Sequence, residues 1–254
     1  MRRDPMMNAA ATRRCSVRMR TILLTAAFLL VSATADAQVL ISILLGDKLN
    51  TGKIEFGLDG GLHLASIHGI DQAESMRSWN LGFYFDIKLA DPSWMIHTGV
   101  IVKSTLGTEN VPVYSVGDPN LDAAFRDGAV TTKLQYFNVP IMAKYRFDKQ
   151  FFVEAGPMLG LLHKASDEFG NSVQESDDLT YRLKTKDDYH PLDAGMMVGA
   201  GYRLMGGRGM NLGVRYYYGL VDVLIDDSTP AQYNRSLYFT LGIPIGAGKA
   251  KAGA

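Results

Sequence analysis

The chain has a single cysteine in 254 residues, Cys15, and it lies ahead of an apolar stretch over 21–31 rather than after it. A lipoprotein acylation site would follow such a stretch, so Cys15 is not one. Beyond residue 37 there is no cysteine, which excludes disulfides, thiolate nucleophiles and cysteine-based metal sites from that part of the chain. Hydrophobic runs of helix-spanning length are missing too. A spanning helix needs roughly 20 apolar residues, and nothing beyond Val31 approaches that, so any membrane crossing must be made by strands. No Gly-x-Ser-x-Gly or comparable nucleophile arrangement occurs. Neither sign of charge dominates: 26 Lys and Arg balance 26 Asp and Glu. Residues 1–37 hold six of the basic side chains and two of the acidic, leaving a net charge of −4 on the remainder. With no basic stripe, nucleic acid is not an expected partner.

The first 37 residues read as a cleaved secretory signal. Arg13, Arg14, Arg18 and Arg20 precede the apolar stretch, and Ala35-Asp36-Ala37 supplies an A-x-A cleavage site before Gln38. Residues 38–52, "QVLISILLGDKLNTG", form an apolar lead-in expected at the periplasmic mouth, residues 53–246 the main body, and 247–254 a C-terminal tail.

What fills the body is period-2 alternation, which sends successive side chains to opposite faces of a strand. Eight segments carry it: 53–65, 77–90, 93–104, 130–147, 151–162, 192–204, 210–220 and 235–245. In the first, Ile54, Phe56, Leu58, Leu62 and Leu64 oppose Lys53, Glu55, Asp59 and His63. In the second, Trp79, Leu81, Phe83, Phe85, Ile87 and Leu89 oppose Asn80, Tyr84, Asp86 and Lys88. The third puts Trp94, Ile96, Val100 and Val102 outward, with His97 and Lys103 inward. In the fourth, Leu134 and Tyr136 begin the apolar face, and Val139, Ile141 and Ala143 resume it one residue out of phase. A bulge near Phe137-Asn138 would restore the facing, beside Pro140. The last four segments alternate likewise, with Glu154, Asp193, Arg203 and Arg215 on their inner faces.

The connections run long, short, long, short, long, short, long. An even strand count, tight turns at 91–92, 148–150 and 205–209, and four longer connections predict an eight-stranded antiparallel up-and-down transmembrane β-barrel in the outer membrane, long loops outside. Outer-membrane lipids are then its first partners. Aromatic residues near strand ends (Trp79, Trp94, Phe147, Phe151, Tyr218, Tyr233) fit the interfacial girdles. The third long connection, 163–191, is acidic and expected to be mobile.

Eight strands enclose a space just wide enough for their own side chains. The inward charges Lys53, Glu55, Asp59, Asp86, Lys88, Lys144, Arg146, Glu154, Asp193, Arg203 and Arg215 have both signs, and pairing across the lumen would satisfy them. His63 and His97 both point inward, but strands one and three are not neighbours and no third ligand has matching spacing. Gly199-Ala200-Gly201 with Gly206 lies in a strand and a turn, not at the start of a helix as a nucleotide-binding fingerprint requires. Asp226-Asp227-Ser228 lacks the full calcium-loop pattern. No catalytic, cofactor-binding or metal residues are therefore assigned.

"LQYFNVPIMAKYRF", "FFVEAGPMLGLL", "DAGMMVGAGYRL", "LGVRYYYGLVDV" and "NRSLYFTLGIPI" resemble the PorT-like outer-membrane β-barrel family of Bacteroidota. The resemblance implies an outer-membrane barrel and, in one branch, a role in type IX protein secretion; it brings no active-site residues. The expectation is a non-enzymatic barrel with a structural or partner-interaction role in the cell envelope, its partners being envelope or secretion-system proteins. The alternative is a narrow channel for ions or small solutes.

Overall fold

The computed structural model describes residues 52–172, 179–226 and 230–245. The expected signal peptide, nearly all of the expected lead-in and the tail lie outside the described residues. Among the described residues there are nine strands: β1 (Ile54–His68), β2 (Met76–Lys88), β3 (Trp94–Val111), β4 (Ala129–Phe147), β5 (Phe151–Asn171), β6 (Leu179–Lys184), β7 (Leu192–Arg203), β8 (Asn211–Gly219) and β9 (Tyr233–Pro244). All pairings are antiparallel. Eight strands close a ring, β1-β2-β3-β4-β5-β7-β8-β9, with β9 returning to β1 from Gly57↔Pro244 to His68↔Tyr233. Closure leaves no unpaired edge along the wall, which is what a strand structure needs in lipid.

The outer wall is apolar along most of its height. Leu62, Leu192 and Phe151 are 68%, 64% and 59% exposed, and Val153, Val198, Val214 and Phe239 also face out. Trp94, Phe147 and Phe151 sit at the short-turn end; Trp79 and Tyr218 stand toward the other. No helix among the described residues is long and apolar enough to cross a membrane.

Local chemistry explains the tight turns. Between β4 and β5, Asp148 and Lys149 have φ of 43° and 68°, and the Gln150 N–H donates to the Phe147 carbonyl at 3.0 Å. Two successive left-handed residues match the right-handed twist of the flanking strands. Between β7 and β8, Met205, Gly206 and Gly207 all have positive φ. Between β2 and β3, Asp91 accepts the Ser93 N–H at 2.8 Å.

Three expectations need correction. First, β4 carries no bulge near Phe137-Asn138: its burial alternates without a slip from Val130 to Lys144. The extra residues sit in its neighbours instead. On β3, Leu81↔Lys103 is followed by Gly82↔Ile101, and on β5, Gln135↔Lys164 is followed by Tyr136↔Leu162. Leu134 and Tyr136 consequently face the lumen, fully buried, because that end of the interior is apolar. Second, the β3 bulge turns Lys103 outward, where its ammonium lies 3.6 Å from the centre of the Trp79 ring. Third, the acidic third connection is largely strand. β5 runs on to Asn171, and β6 pairs with its extension from Ser166↔Lys184 to Asn171↔Leu179.

That extension, with the upper parts of β3 and β4, forms a head on the long-loop side. Helix α1 (Pro119–Ala124) starts on Asp118, whose carboxylate accepts the Asn120 N–H at 2.9 Å, with Pro119 in the first helical turn where its missing donor costs nothing. Phe125, Val130 and Phe169 form a small buried core there, packed against Leu121 and Tyr181.

Candidate functional site

Six of the inward-pointing charges, Asp59, Asp86, Lys144, Arg146, Glu154 and Arg215, meet in one layer across the middle of the barrel. Arg215 of β8 donates through Nη1 to Asp59 of β1 and through Nε to Glu154 of β5, each at 2.5 Å. Its Nη2 lies 3.1 Å from Nε2 of His97 on β3. A guanidinium only donates, so Nε2 accepts and the imidazole proton belongs on Nδ1, 2.6 Å from Asp86 Oδ1. Asp86 of β2 takes Lys144 of β4 on its other oxygen at 2.8 Å, and Lys144 closes the circuit toward Glu154 at 4.0 Å. Arg146 stands 3.9 Å from Asp86. Three carboxylates and three cations thus balance around a neutral imidazole, with no net charge left in the layer. Low dielectric makes each pair strong but makes any unpaired member costly.

A second pair lies toward the short-turn end. Arg203 binds Glu55 at 2.8 Å, Tyr84 donates to the same carboxylate at 3.2 Å, and Asn211 reaches Tyr84 at 3.3 Å. The Tyr84 ring also stacks on His97 with centroids 5.5 Å apart. Phe152 points inward over Gly201, and the Lys144 ammonium lies 4.1 Å from that ring's centre. The glycines on the inner face of β7 therefore make room for rings and long side chains crossing from other strands.

Above the ionic layer the lumen is filled by Tyr136, Tyr217, Tyr238, Met142, Met158 and Met197, all buried. Sequence reasoning missed the methionines and Leu134, since it took polarity as the mark of an inward residue. Their period-2 spacing from inward neighbours, Met142 from Lys144 and Met197 from Gly195 and Gly199, was the available signal.

The two histidines do not form a pair. His97 belongs to the ionic layer, whereas His63 donates through Nε2 to the Thr105 carbonyl at 2.9 Å and lies against the Tyr238 ring, centroids 4.9 Å apart. Asp193 is held by Asn234 at 2.9 Å, away from the charged layer. Lys53 and Lys88 lie at the short-turn mouth, Lys88 donating to the Gly52 carbonyl at 3.2 Å. Asp227 and Ser228 lie outside the described residues. Among the described residues, no group of three His, Cys, Asp or Glu side chains is arranged to hold a metal ion.

Outside the membrane wall, Asp122 accepts the Ser115 hydroxyl at 2.5 Å and the Val116 N–H at 2.8 Å, and these bonds hold its carboxyl below the ordinary value. Asp167, in the extended part of β5, accepts the Tyr114 hydroxyl at 2.6 Å; burial raises the carboxyl's pKa.

A closed ring of eight strands, apolar outside and filled by paired charges and rings inside, defines an integral membrane β-barrel. The chain belongs to the family described as "outer membrane protein beta-barrel domain", which matches residues 38–224. It is an outer-membrane protein. No curated protein matches it in sequence. Among solved structures, it is similar to the attachment invasion locus protein Ail of Yersinia pestis in complex with the heparin analogue sucrose octasulfate. The identity there is 12%, over 76% of this chain and 99% of that one, with a TM-score of 0.39. Neisserial surface protein A is similar at 14% identity, over 75% and 96%, TM-score 0.37. OprG from Pseudomonas aeruginosa is similar at 11%, over 77% and 95%, TM-score 0.36.

Proposed function

We propose that this protein is a non-enzymatic outer-membrane barrel that works by presenting its external head to protein partners of the cell envelope, protein-secretion components among them. The observation that carries this reading is the sealed middle of the lumen. Asp59, Arg215, Glu154, Lys144, Asp86 and His97 span it from six strands through direct contacts. A passage there would have to break charge pairs that hold one another in a low-dielectric interior. The head, by contrast, is built: a capped helix, an added strand and a small aromatic core. The secretion link rests on the PorT-like resemblance.

Native barrel cross-linked in cells and purified in mild detergent tests the reading. Recovery of a defined envelope protein that is lost when 112–128 is replaced by a short turn supports it. Recovery unaffected by that replacement overturns the role of the head. A narrow channel is the second reading, favoured by the buried amides of Asn80 and Asn138, which have no protein partner. Large, stable, ohmic steps in a planar bilayer would establish it.

A further inference from the structure

We propose that a basic groove on the outer wall of β2 to β6, just above the aromatic girdle, binds the phosphate-bearing headgroup of an outer-leaflet saccharolipid.

The groove has a volume of about 380 Å³ and is lined by Arg77, Lys103, Lys133 and Arg182, with Glu109 and Glu168 as its acidic members, a local excess of two positive charges. The chain as a whole carries no net charge, so the excess is a local concentration. Register gathers it from strands far apart in sequence. Lys103 sits across from Leu81 of β2, Lys133 across from Gly107 of β3, and Arg182 across from Glu168 of β5. Glu168 is shared by Lys133 and Arg182. One carboxylate thus splays two cations to its two sides, leaving donors of both for a ligand anion. Lys103 is held over the Trp79 ring, 3.6 Å from its centre.

Height on the wall decides the ligand. From the groove's lower rim downward, Leu81, Val102 and Phe137 are exposed and apolar, as a surface in contact with acyl chains must be. Trp79 marks the interface. The groove lies toward the long connections, the external side of an outer-membrane barrel. A cationic site at that depth, open sideways to the bilayer, meets lipid headgroups before any dissolved anion. Basic clusters beside a membrane attract anionic headgroups by about 1 kcal/mol per residue, and two cations straddling one carboxylate favour a phosphate over a neutral sugar.

The test uses the folded full-length barrel in neutral detergent and native mass spectrometry to count bound lipid. The probes are a bis-phosphorylated lipid A-type saccharolipid, its dephosphorylated form and inorganic phosphate. A Trp94→Phe background leaves Trp79 as the only indole and reports where binding occurs. The phosphorylated lipid should bind saturably and change Trp79 emission. Binding should weaken roughly 10- to 30-fold in Lys103→Gln/Lys133→Gln and stay unchanged in Arg208→Gln at the opposite mouth. Should that double variant not fold, as judged by heat-dependent gel mobility, Arg77→Gln/Arg182→Gln at exposed positions carries the same expectation. Equal binding of the dephosphorylated lipid, or undiminished binding by a folded double variant, overturns the proposal. Displacement of the lipid by millimolar inorganic phosphate overturns the lipid as occupant and leaves a free-anion site.

Discussion

Asp59 on β1 and Arg215 on β8 meet across the lumen at 2.5 Å, although 156 residues separate them and β9 stands between their strands. Arg215 also holds Glu154. Its removal therefore leaves two buried carboxylates short of their cation. Arg215→Leu should cost about 3–5 kcal/mol of barrel stability, measured by urea unfolding in lipid vesicles. Adding Asp59→Asn should restore part of the loss; a double variant less stable than Arg215→Leu would show that the pair is not the origin of the cost.

Truncating both arginines tests the seal. Arg203→Ala/Arg215→Ala removes bulk and one cation each from the Glu55 pair and the middle ionic layer, so leak current through a planar bilayer should rise well above that of the native barrel. Unchanged current would place the seal in the tyrosine and methionine layer above.

Phe152 lies against Gly201, so a methyl group there would drive into the ring. Gly201→Ala should cost about 1–3 kcal/mol through overpacking, and Phe152→Leu in the same chain should recover most of it. A harmless Gly201→Ala, by the same unfolding assay, would refute the packing.

The outer wall is tested by charge. Val198, half exposed at the middle of β7, should lose about 2–4 kcal/mol as Val198→Arg. Arg208→Leu at the short-turn mouth should be near neutral. Equal losses would mean the apolar belt is misplaced.

The head carries a pH dependence of its own. The Asp122 carboxyl is held below its ordinary value of 3.8 by Ser115 and Val116. A depressed folded value means that its stabilisation is complete above the unfolded value and declines as pH falls from about there through the lowered one. Protease protection of 112–128 in the detergent-folded barrel should hold down to the ordinary carboxylate range and fade below it. Asp122→Asn should remove that pH step. The same region should be external: on intact cells an impermeant maleimide should label Asp127→Cys and not Lys149→Cys.

Alternation and connection length in the sequence by themselves determined the closed eight-strand ring, its outer face and the turns at 91–92, 148–150 and 205–209, because strand facing is a local, period-2 property. They also put the charged lumen residues inside, from Glu55 to Arg215. Where the chain slips by one residue, sequence cannot say which partner takes the extra residue. The hydrogen-bonded register places the extra residues in β3 and β5 and leaves β4 continuous. That register decided that Leu134 and Tyr136 point inward and that Lys103 points out. Pairings such as Asp59 with Arg215, the added strand β6, and a basic groove assembled from positions 77, 103, 133 and 182 belong to tertiary structure alone, because closure of the barrel sets which distant residues share a height and a face.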